Sequence, residues 1–140
     1  MKSTDELMKV LENSKNLQDY VEDNFDDISN ITFHEYLNQC LEKQEMTKAE
    51  IIDRANIQTN YGYQIFDGSK TPSRDKVLAL CFAMELTVDE SNRLLKLSDH
   101  SILYPRIKRD SIIIFAIEKK KNFMEANLLL DEMGEAHIES

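Results

Sequence analysis

The amino-acid sequence predicts an all-α protein, on three observations. Helix-start signals recur along it: Ser3/Glu6, Thr32/Glu35, Thr47/Glu50 and Thr87/Glu90 each place a hydroxyl residue three positions before a glutamate. That arrangement caps a helix reciprocally and satisfies two orphan backbone donors; Asn122/Glu125 is its amide version. Between these signals apolar residues recur at intervals of three and four, the period of a half-buried helix. Three glycines and two prolines are too few turn residues for an all-β chain of this length.

Size and charge bound the rest. A chain of 140 residues suits one compact domain with a flanking element. Seventeen basic against 26 acidic residues give a net charge of −9, so charge does not drive nonspecific nucleic-acid binding and any such contact is local. No apolar run approaches the roughly 20 residues of a membrane span, and the start, MKSTDELMKV, lacks the apolar stretch of a signal peptide. Cys40 and Cys81 both fall inside helical apolar patterns, as buried free thiols do. A reducing cytoplasm is the compartment expected.

Taken in order, Leu7, Val10, Leu11, Leu17, Tyr20 and Val21 predict an N-terminal helix, followed by the acidic run 22–27. Residues 1–31 hold 3 basic and 8 acidic side chains and form an acidic helix and linker. The next segment, 32–99, carries five helices. Phe33, Tyr36, Leu37, Cys40 and Leu41 make the stripe of the first, about 33–43. Met46 and Ile51 flank the Thr47 cap as a hydrophobic staple and open a second, about 48–55. Asn56 tolerates the left-handed conformation of a sharp turn, and a third helix, about 58–66, ends near Gly68. Pro72 and Ser73 restart the chain into a fourth helix built on Val77, Leu78, Leu80, Cys81 and Met84; Val88, Leu94, Leu95 and Leu97 belong to the fifth.

Beyond residue 99, Tyr104-Pro105 interrupts the pattern. Ile107, Ile112, Ile113, Ile114, Phe115 and Ile117 then form an apolar cluster whose β-branched residues also suit a strand. The capped helix that follows at about 123–133, closed by Gly134, favours a helix over about 106–119. This two-helix extension, 100–140, is too apolar to lie free; it either covers the five-helix core or joins a second copy.

The stretch 47–68, TKAEIIDRANIQTNYGYQIFDG, sets two short helices around a tight turn, the layout of a helix-turn-helix. It resembles the Cro and phage-repressor family of DNA-binding domains, the xenobiotic-response-element-like regulators. The resemblance spans about 33–97 and is carried by five positions: the Thr47 cap, Ile51, Ile57 after the turn, Ile65 in the recognition helix and Gly68 at its end. Departures are Lys48 where the family usually has Gln, Ile52 where a small residue is usual, and Asn56 for the turn glycine. Gly62 replaces an aliphatic residue, at about 1 kcal/mol of helix propensity relative to Ala, and Phe66 stands where Glu is frequent.

The resemblance implies a bacterial or phage transcriptional regulator that binds double-stranded DNA as a homodimer on two-fold related half-sites. The groove-facing residues are then Gln58, Thr59, Asn60, Tyr63 and Gln64, with Lys48, Lys70 and Arg74 on phosphates. A rival reading stays open. Residues 43–76 hold six basic and five acidic side chains, a weak attraction for phosphate, and Tyr61 and Tyr63 beside Phe66 suit an aromatic surface for a partner protein. An enzyme is not expected, nor a cofactor or metal. His34, His100 and His137 are far apart, none stands at helical spacing from a Cys, and no Gly-rich phosphate loop occurs. The acidic run lacks the ligand alternation of a calcium loop. Lys119-Lys120-Lys121 reads as a solvated run.

Overall fold

In the computed structural model, which describes residues 30–140, every regular element is a helix. The elements are α1 (Phe33–Glu42), α2 (Lys48–Arg54), α3 (Thr59–Asp67), α4 (Arg74–Ala83), α5 (Val88–Leu97), α6 (Lys108–Glu118) and α7 (Phe123–Glu132). The N-terminal helix expected over residues 1–31, with its Ser3/Glu6 cap, lies outside the described residues. The segment open to a strand reading is helical, as α6.

The capping chemistry forms as the sequence specifies. Thr32, Thr47, Thr87 and Asn122 each accept from the backbone N–H of the glutamate three residues on, and that glutamate accepts from the cap's own N–H. Each cap is worth about 1 kcal/mol to its helix. Of the two staple residues, Ile51 is buried and Met46 packs against the core.

Six consecutive helices end alike. Asn56, Gly68, Glu85, Asp99, Lys120 and Gly134 have φ between 54° and 87°, the left-handed region. The residue after each donates back to a carbonyl five residues earlier: Ile57 to Ile52, Ser69 to Gln64, Leu86 to Cys81, His100 to Leu95, Lys121 to Ala116 and Glu135 to Leu130. These bonds satisfy carbonyls that the helix ends would leave orphaned. Asn56, Asp99 and the two glycines suit that conformation intrinsically; Glu85 and Lys120 adopt it at about 1–2 kcal/mol each, because the helix that follows must turn back onto the core.

At the centre is α4. All seven residues from Val77 to Ala83 are buried, so this helix is apolar on every side, and it packs against α2, α5 and α7. Helix α1 packs on α3 and α5, and α2 on α3. The extension 100–140 belongs to the same compact unit, Thr32–Ser140, and its division from 32–99 is one of sequence pattern only. Leu103, Ile113, Ala116, Ile117, Ala126, Leu130 and Ile138 join one continuous core with α1–α5. The extension therefore covers its own domain.

Two adjacent residues of α4 pair with two of α6, charges exchanged. Arg74 holds Asp110 through both terminal nitrogens, at 3.1 and 3.0 Å, and also donates to the carbonyls of Ser101 and Ile102. Asp110 is only 3% exposed and also accepts from the N–H of Tyr104. Reciprocally, Arg109 grips Asp75 at 3.2 and 3.1 Å and donates to the carbonyls of Ala136 and His137. Asp75 accepts in addition from the N–H of Glu139, and Ser140 reaches the carbonyl of Asn56 at 3.0 Å. Bidentate geometry and a full set of partners make this a strong clamp.

Candidate functional site

The segment singled out by the sequence folds as two short helices around one left-handed residue. Helix α2 stops at Arg54 because Asn56 turns left-handed, and Ile57, buried, anchors the chain before α3 starts. Helix α3 buries Gly62, Ile65 and Phe66 and leaves Thr59, Asn60, Tyr63 and Gln64 exposed, Tyr63 at 43%. Four of the five expected base-reading residues thus share the outer face of α3. The fifth, Gln58, is the N-cap: its Oε1 accepts from the N–H of Tyr61 at 2.8 Å, which fixes the side chain at the start of α3 with its amide N–H groups free for other contacts.

Gly62 and Ile52, two positions singled out by the sequence, are in contact. A Cβ on Gly62 would lie 2.6, 2.7 and 2.8 Å from Cγ2, Cγ1 and Cδ1 of Ile52. Ile52 is 2% exposed and fills the space that an aliphatic residue at 62 would fill. Gly62 therefore sets the close approach of α2 and α3, with Ile52 filling the space between them. At the end of α3, Gly68 is required twice: its φ is +87°, and a Cβ there would meet the His34 ring at 2.8 Å. Asn38 of α1 ties this end down, donating to the carbonyls of Phe66 at 2.9 Å and His34 at 2.7 Å.

The expected phosphate contacts divide. Lys70 is exposed in the loop after α3. Lys48 is half-buried, its ammonium 5.7 Å from the Phe66 ring centre, and its flexible stem still lets it reach outward. Arg74 is a correction: four of its five N–H donors are committed to Asp110, Ser101 and Ile102, so it holds the extension in place instead of a phosphate. Lys76, which the sequence did not single out, lies 5.2 Å from the Tyr61 ring centre and adds a cation beside α3. The only signal for it was its place in the first turn of α4. Against these cations, the Asp67 carboxyl is held below its ordinary range by the hydroxyl and N–H of Ser69, and stays ionised at the end of α3.

The aromatic surface of the rival reading does not form. Phe66 is 1% exposed and part of the core, and Tyr61 is half-buried, which leaves Tyr63 alone outside. Among the described residues no group of three His, Cys, Asp or Glu side chains is placed to hold a metal ion. His100 bonds the carbonyl of Pro72 at 2.8 Å, and Cys40 and Cys81 are buried free thiols, both pushed up by burial, Cys81 to about 12. No helix among the described residues is long and apolar enough to cross a membrane. No family model, no curated protein and no solved structure matches the chain.

Proposed function

We propose that the chain is a sequence-specific binder of double-stranded DNA, acting in the cytoplasm as a bacterial or phage transcriptional regulator. In this reading α1–α5 are a repressor-like domain, α2 and α3 its helix-turn-helix, and α3 the recognition helix. The observation that carries it is the outer face of α3. Thr59, Asn60, Tyr63 and Gln64 stand exposed there without a protein partner among the described residues, on a helix whose other face is locked into the core. Asn and Gln amides pair in two places with adenine, and a Thr methyl meets the methyl of thymine; each good pair discriminates by about 1–3 kcal/mol. Lys48 and Lys70 set register on phosphates. Two such contacts per copy give a salt slope of only about −2, so specificity must come from the groove face.

A second copy would double the base contacts on a two-fold site. Ile107, Phe115 and Met133, about half-exposed apolar side chains in the extension, support that arrangement. The test is the pair Asn60→Ala with Gln64→Ala. Both side chains are exposed, so helical circular dichroism stays unchanged while preference among DNA sequences disappears. Retention of the same preference refutes the assignment of α3.

A further inference from the structure

We propose that an open groove between α2 and α7 is a binding site for an organic cation with an apolar body. Its volume is about 900 Å³, within the roughly 300–1,000 Å³ typical of small-molecule sites. The apolar part is made by Phe82 and Ala83 of α4 with Phe123, Met124 and Leu128 of α7. Met124 is 72% and Leu128 56% exposed, so the groove presents large apolar side chains that nothing in the described fold covers.

The charge around that floor selects the occupant. Asp53 from α2, Glu85 from the turn after α4 and Asp131 from α7 all line the groove. Asp131 faces His137 at 3.4 Å, whereas the carboxylates of Asp53 and Glu85 have no hydrogen bond or ion pair among the described residues. Most neutral polar groups are already engaged: Asn122 caps α7, Asn127 accepts from the N–H of Ile138, and the carbonyl of Asn56 accepts from Ser140, which leaves the Asn56 side-chain amide. What remains for a ligand is an apolar floor with two uncommitted carboxylates and the Asn56 amide, opposed by the single guanidinium of Arg54. An ammonium or amidinium on an aromatic or aliphatic body satisfies both; an anion of the same shape meets repulsion. Asp53, Arg54 and Asn56 are also the last turn of α2 and the turn into α3, so an occupant would bridge α7 to the segment that positions α3.

The test uses the full chain without DNA and reads fluorescence anisotropy of rhodamine 6G, an apolar cation, beside fluorescein, an anion of similar size. Saturable one-to-one binding of rhodamine 6G alone is expected. Asp53→Asn with Glu85→Gln weakens it about tenfold, as does Leu128→Gln, whereas Glu42→Gln with Glu45→Gln, the same charge change away from the groove, leaves it within about twofold. Equal loss in the control pair would mean that the net charge of −9 attracts any cation, and would overturn the proposal. So would equal binding of fluorescein, or no saturation by about 1 mM dye. A dimer mass abolished by Leu128→Gln, with no dye bound, would place a second copy in the groove and overturn it equally.

Discussion

Gly62→Ala is the perturbation with the clearest structural arithmetic. On an exposed helix face the change would stabilise by about 1 kcal/mol through helix propensity. Here the new methyl lands within 2.8 Å of three carbons of one side chain, Ile52, which is 2% exposed and walled in by the core. Overpacking of that kind costs about 1–3 kcal/mol, so the net effect in the native background is a loss of about 0–2 kcal/mol. Ile52→Ala removes all three of the offending carbons and costs about 2–5 kcal/mol alone. In that background Gly62→Ala meets an empty space and stabilises by about 1 kcal/mol or more. The two substitutions therefore couple by about 1–3 kcal/mol, well beyond the ~0.5 kcal/mol within which independent sites add. Urea unfolding followed by circular dichroism measures all four corners of the cycle. Additive values, or a Gly62→Ala protein more stable than the parent, would refute the claim that Ile52 fills the space beside Gly62 at the α2–α3 contact.

Asp110→Asn, which leaves Arg74 without its charged partner, is expected to destabilise by about 2–4 kcal/mol; a loss below ~1 kcal/mol in the same unfolding assay would show that the α4–α6 clamp is marginal. Stability is also expected to fall in alkali. The unfolded Cys81 thiol loses its proton near 9.0 and the folded one near 12, so the unfolded state alone is charged between those values. The contribution of this thiol is flat below about pH 9 and declines above it by up to about 1.4 kcal/mol per pH unit, with Tyr36, raised from 10.0 to about 12, steepening the fall at higher pH. Cys81→Ala should reduce the first part of the slope in urea titrations, leaving the share of Cys40, which burial also raises, and an unchanged slope would show that the Cys81 thiol is not a source.

Local chemistry was the legible part of this fold. A capping box depends on residues three apart, so Thr32, Thr47, Thr87 and Asn122 announced four of the helices directly. Asn56 and Gly68 announced the ends of α2 and α3 because few other residue types accept a left-handed backbone without strain. Glu85 and Lys120 gave no such signal: they occupy the same conformation against their own preference, imposed by packing on either side. The burial of α4 was only half legible, since Ala79, Phe82 and Ala83 close the faces that a single stripe leaves open.

Long-range pairing was hidden. Arg74 and Asp110 are 36 positions apart, and Arg74 in isolation looks like any cation near a recognition helix. Gly62 and Ile52 each looked like a flaw when compared one position at a time; only their contact shows that one fills the space beside the other. At the site itself the exposed amides of α3 followed from helical periodicity. The cap role of Gln58 and the burial of Phe66 needed the true start of α3 and its rotation on the core, which one residue of register decides.

The most direct test of the central claim is a selection from random duplex DNA with the purified chain at about 0.1 M salt, where attraction between exposed charges is already screened. Enrichment of one two-fold symmetric site, lost in the Asn60→Ala and Gln64→Ala protein, is the result this account predicts. A folded protein that enriches no sequence would contradict it, and the outer face of α3 would then have to serve something other than DNA.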